Sequence, residues 1–120
     1  MKKEEIEIYD EFEVSKVLMD FGVHPECNGY EYIIIAMKLI KEDKTCLSNI
    51  TKKIYGQIAE MKNITPASVE RCIRTEVHRI VNNDTALRDE ILGDDLSRIT
   101  NSSFLAHLYE YFRIQKRISL

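Results

Sequence analysis

Between Pro66 and Arg79 the chain spaces its polar and apolar residues three and four apart, in "PASVERCIRTEVHR", as one helix with two unlike sides would. Val69, Ile73, Val77 and Ile80 make one side. Ala67, Ser68, Arg71, Arg74, Thr75 and His78 fall largely on the other. Guanidinium, hydroxyl and imidazole groups in such a row can hydrogen-bond to base edges and phosphates, so the chemistry open to this face is recognition of a nucleic-acid groove. A solvated basic face has the same pattern without any DNA, because every surface helix is amphipathic.

The residues ahead of this helix decide how it is presented. A helix-turn-helix needs a small residue where two helices cross, a turn residue four places on that accepts the left-handed conformation, and an apolar residue six beyond that. Ala59, Asn63 and Val69 stand at these offsets. Asparagine tolerates positive φ better than other non-glycine residues. Ile64 is then expected to tuck between the helices, Thr65 to serve as N-cap, and Pro66 to open the second helix, where its missing N–H costs nothing.

At 120 residues the chain suits one domain with a core of its own. Apolar residues recur at three and four positions almost throughout, which predicts an all-α fold. One helix should end at Phe21 with Gly22 as its left-handed cap, carrying Val14, Val17 and Leu18 inward. A second is expected from about Tyr30 to Lys41, buried through Ile33, Ile34, Met37 and Ile40. Ser48 or Asn49 could cap a third containing Ile50, Ile54, Ile58 and Met61, with Gly56 as a weak point. After "NND" at 82 to 84 come "TALRDEIL", stopped by Gly93, and a last helix from Asn101 or Ser102 that turns Phe104, Leu105, Leu108 and Phe112 inward.

The net charge is −3, which opposes binding to a phosphate backbone, but it is unevenly spread. Residues 1 to 13 hold six acids against two lysines and read as an acidic N-terminal extension to a helical domain over residues 14 to 120. In phase with that domain's first helix, Ile6, Tyr9 and Phe12 leave open whether the helix extends backwards through them. Residues 51 to 80, by contrast, carry Lys52, Lys53, Lys62, Arg71, Arg74 and Arg79 against Glu60, Glu70 and Glu76. Three cysteines without C-x-x-C spacing fit reduced thiols in the cytoplasm, and no apolar run is long enough to span a bilayer.

Beyond the turn, "SNITKKIYGQIAEMKNITPASVERCIRTEV" resembles the C-terminal DNA-binding domain of the stage-zero sporulation response regulators. "VSKVLMDFGVHPECNGYEYIIIAM" resembles that domain's opening and "TNSSFLAHL" its last helix, so the resemblance runs over about residues 14 to 116. It implies a compact six-helix fold in which the helix from Pro66 to about Val81 enters the major groove of double-stranded DNA. In the family an Arg-x-Glu-Arg cluster reads bases, and Glu70 and Arg71 match its last two members. Ser68 stands where the first arginine belongs, Ala67 where serine is usual, and Thr75 where the family has histidine. A glutamate can accept from cytosine N4 and an arginine can grip guanine O6 and N7. With the first arginine gone, the family's TGTCGAA-like operator is not expected to be read unchanged.

By the same resemblance the base-reading candidates are Ser68, Glu70, Arg71, Arg74 and Thr75. The phosphate candidates are Lys52, Lys53, Lys62, Ala67, His78 and Arg79. Family members occupy tandem sites as dimers, which suggests a homodimer on DNA. The family's receiver domain could not fit in residues 1 to 13, so phosphorelay control is not expected through this chain. The alternative reading is a protein-interaction module of the same fold, with weakened DNA binding and a partner docked on the acidic N-terminus. "HPEC" from His24 to Cys27 has chelating spacing, but no other histidine lies near it in sequence; no metal, cofactor or catalytic role is expected. Cys72 reads as a small core residue, and His107 with Glu110 as a chance pair on one helix face.

Overall fold

A computed structural model describes residues 8–119. It comprises six α-helices: α1 (Glu11–Asp20), α2 (Asn28–Glu42), α3 (Gly56–Lys62), α4 (Pro66–Val81), α5 (Ala86–Leu92) and α6 (Asn101–Ser119). A 3-10 segment (Lys44–Asn49) and a π turn (Thr51–Tyr55) join α2 to α3. No strand occurs among the described residues.

The start of α1 lies inside the acidic stretch. Asp10 is extended, with φ −120° and ψ 178°, and its carboxylate accepts from the Glu13 N–H at 2.9 Å while the Glu13 carboxylate accepts from the Asp10 N–H. This reciprocal cap stops the helix from running back through Tyr9. Instead Tyr9 is buried, its hydroxyl donating to the Met37 carbonyl at 2.6 Å and its ring 5.0 Å from that of Phe112. Burial, and secondarily the neighbouring Tyr109, pushes the Tyr9 phenol far up. Phe12 points outward and is 77 % exposed; Ile6 lies outside the described residues. At the other end Gly22 takes φ 97°, as expected of a left-handed cap, and Asn83 donates to the Phe21 carbonyl beside it.

The centre of the molecule is α2, packed against α1, α4 and α6 through Ile33, Ala36, Met37 and Ile40, which are wholly buried. Ile34 is only half-buried. Gly29, in the first turn of α2, makes the crossing with α4 possible: a Cβ there would lie 2.5 Å from both the Cys72 carbonyl oxygen and Glu76 Cγ.

The connection to α3 departs from the sequence expectation. Neither Ser48 nor Asn49 is an N-cap. The Ser48 hydroxyl donates to the Thr45 carbonyl, and the capping carboxylate is Asp43, which accepts from Thr45. Gly56 does not interrupt the helix either, with φ −64° and ψ −40°. The irregularity falls one turn earlier, where the Gly56 N–H donates to the Thr51 carbonyl in a five-residue turn. Ile54 and Ile58 are buried, but Met61 is exposed. Helices α5 and α6 follow the expected course: Thr85 caps α5, Gly93 ends it at φ 84°, and Phe104, Leu105, Leu108 and Phe112 are buried.

Candidate nucleic-acid interface

α3 and α4 meet over a turn whose geometry is that of a helix-turn-helix. Ala59 is buried at the crossing, and its carbonyl accepts from the N–H groups of both Asn63 and Ile64. Asn63 stands at φ 58° and ψ 47°, the sole positive-φ non-glycine residue among those described. Thr65 is extended and its hydroxyl oxygen accepts from the Ser68 N–H at 3.1 Å, with Pro66 at the first helical position and Val69 fully buried. Ile64 does not enter the core; it is 36 % exposed, because the left-handed residue before it swings the chain outward.

The buried side of α4 is Val69, Ile73, Val77 and Ile80, joined by Glu76, whose side chain is 4 % exposed. Cys72 is half-buried at the edge of this side, against α2. The opposite side turns Ala67, Arg71, Arg74, Thr75 and His78 to solvent. Arg71 has no ion-pair partner among the described residues. Glu70 and Arg74 face each other one turn apart at 3.5 Å, both partly exposed, so each orients the other. The Thr75 hydroxyl donates to the Arg71 carbonyl. Ser68 is half-buried, and its hydroxyl accepts from that of Thr65 at 3.0 Å, so it serves the cap.

The phosphate candidates divide into two groups. Lys62 is ion-paired with Glu31 of α2, and Arg79 Nε donates to Glu76 at 3.0 Å, so both already neutralise carboxylates. Lys52 is exposed on the π turn. Lys53, half-buried next to it, helps Thr45's hydrogen bonds to hold the Asp43 carboxyl below its ordinary range. Ala67 lies in the first turn of α4, where no acidic side chain competes for an anion.

Two residues behind this face were not singled out by spacing. The Asn101 side-chain amide, buried at the start of α6, donates to the Tyr55 hydroxyl at 3.0 Å and to the Glu70 main-chain carbonyl at 3.2 Å. In the sequence Asn101 read only as the start of the last helix, three residues before Phe104. Elsewhere, Glu110 pairs with Arg113 and not with His107, whose Nδ1 lies 2.7 Å from the Ser103 carbonyl. "HPEC" forms a turn in which the Cys27 N–H donates to the His24 carbonyl.

Among the described residues no helix is long and apolar enough to cross a membrane. In a comparison with known families, the one described as sporulation initiation factor Spo0A C terminal matches residues 14–112.

Proposed function

The chain belongs to the sporulation initiation factor Spo0A C-terminal family, whose members are DNA-binding transcription-regulator domains and not enzymes, and on that premise we propose that it reads a short duplex sequence through α4. The observation that carries this reading is Arg71, an exposed guanidinium with no ionic partner among the described residues, standing in the second turn of a helix that a left-handed Asn63 and a Thr65 cap project from the core.

Arg71 grips guanine O6 and N7, and Glu70 accepts from an adjacent cytosine N4. Arg74 orients Glu70 and reaches a base or phosphate beside it, and Thr75 lies against the groove wall. Ser68 replaces an arginine of the family, which removes roughly 1–3 kcal/mol of discrimination at its base pair and relaxes the operator at that position. Lys52, Lys53, His78 and the Ala67 N–H contact phosphates; Lys62 and Arg79 contribute charge next to their carboxylate partners. Two copies bind side by side on tandem sites.

The test is fluorescence anisotropy against a duplex with two tandem TGTCGAA-like sites and against a scrambled duplex, each at low and near-physiological salt. Preference for the tandem sites that survives the higher salt is the expected result. Equal binding to both that vanishes with salt would sink sequence-specific reading of this operator.

A second reading has its own support in α1, where Phe12 is 77 % exposed on a helix carrying Glu11, Glu13 and Asp20. In it the acidic face of α1 docks a protein partner, such as a full-length regulator of this family. Because Tyr9 is a core residue, truncation of residues 1 to 13 is a poor probe; Phe12→Ser leaves the core intact. Undiminished capture of the partner by that variant would dismiss the reading.

A further inference from the structure

The buried amide of Asn101 ties three elements together at one point. One of its N–H bonds goes to Tyr55, the last residue of the π turn, and the other to the main-chain carbonyl of Glu70 on α4. Tyr55 is itself buried, and burial raises its phenol while the bond from Asn101 works in the opposite direction. The Glu70 carbonyl is the anchor that matters for function. A hydrogen bond to a helix carbonyl from outside the helix limits both rotation of the helix about its axis and sliding along its neighbour. It is made here at Glu70, the residue whose side chain, with that of Arg71, is proposed above to contact bases.

We propose that Asn101 is a positioning residue for DNA readout, holding α4 against α6 and the π turn in the rotation that aims Glu70 and Arg71 at base edges. The inference rests on the reading that Glu70 contacts a base. Base recognition demands placement within about 0.5 Å and 10–20°. Phosphate contacts through Lys52 and Lys53 come from flexible side chains and tolerate a small rotation of α4. The two kinds of binding therefore respond differently to loss of the amide.

The experiment measures affinity of the full chain for its preferred duplex and for a scrambled duplex in four variants: Asn101→Leu, Tyr55→Phe, Glu70→Ala, and Asn101→Leu with Glu70→Ala. Asn101→Leu keeps the volume and removes both donors; the expected result is a loss of preference of roughly five- to tenfold, with scrambled-duplex affinity unchanged. Tyr55→Phe keeps the ring and leaves the Glu70 bond in place, so a smaller loss in the same direction is expected. It carries the test should Asn101→Leu fail to fold, as judged by circular dichroism and melting. In the Glu70→Ala background Asn101→Leu should cost less preference than it does alone, because part of what it positions is gone. Equal proportional losses on both duplexes, or an undiminished loss in the Glu70→Ala background, would overturn the inference. Glu70→Ala alone separates the two readings. If it leaves preference intact, base reading by Glu70 fails and takes this inference with it. If it abolishes preference while Asn101→Leu and Tyr55→Phe do nothing, only the positioning role is lost.

Discussion

At the scale of single residues, what distinguishes one cation from another is whether a carboxylate already holds it. Arg71 is exposed and unpaired among the described residues, whereas Lys62 and Arg79 sit on Glu31 and Glu76. Arg71→Ala should therefore cost about 1–3 kcal/mol on the preferred duplex and flatten preference at one base pair. Lys53→Ala should weaken all duplexes alike and lower the slope of log affinity against log salt by about 1. Anisotropy titrations at several salt concentrations measure both; equal effects of the two substitutions on preference would contradict the assignment. Arg79→Ala acts through stability instead. It leaves a nearly buried Glu76 carboxylate without its partner, so the melting temperature should fall while duplex preference is retained.

Among elements, the crossing of α2 and α4 matters most, because it sets the angle at which α4 leaves the core. Gly29→Ala forces a methyl group against the Cys72 carbonyl and Glu76 Cγ, and a backbone carbonyl cannot step aside as a side chain can. A destabilisation of about 1–3 kcal/mol is expected in denaturant unfolding, with weaker binding to every duplex because α4 is displaced. No change in the unfolding midpoint would show that the helices can separate at little cost. Asn63 and Thr65 are different: the types of residue that allow a left-handed turn and a helix cap are few, so this corner could be read directly from the sequence. The four inward residues of α4 and those of α6 were legible for a similar reason, since helical periodicity carries the information. Gly29 was not, because a close approach depends on what comes from a distant part of the chain. Ser48, Asn49 and Gly56 misled because local propensity for caps and breaks was overridden by Asp43 and by a π turn that has no sequence signature. Asn101 appeared only as the start of the last helix, and its bonds to Tyr55 and Glu70 came only with the tertiary fold.

Over the whole molecule, four tyrosines register the state of the core. Burial is the largest cause raising the hydroxyls of Tyr9, Tyr32, Tyr55 and Tyr111 above the ordinary value of 10.0. A phenol with a raised folded value keeps its proton longer in the folded chain than in the unfolded one. Stability is thus independent of these groups below about pH 10 and falls as the pH rises from there. Melting followed between about pH 8 and about pH 11 should show this loss, with tyrosinate absorbance from these four rings rising at higher pH than that of free tyrosine. Titration of these four tyrosines at the ordinary value in a chain that stays folded would refute it. The π turn has a consequence of another kind, in the lengths that the fold can accept. A turn closed from Thr51 to Gly56 is an α-helix with one residue too many, an insertion absorbed without shifting what lies on either side. Deleting a single residue there, Lys52 for instance, would restore a regular helix and leave the residues on either side in register with α3. Cys46 in the 3-10 segment would stay buried, so this stretch should tolerate the loss of one residue as it tolerates substitution at its surface positions, and a chain lacking Lys52 should fold with an unchanged helix content by circular dichroism.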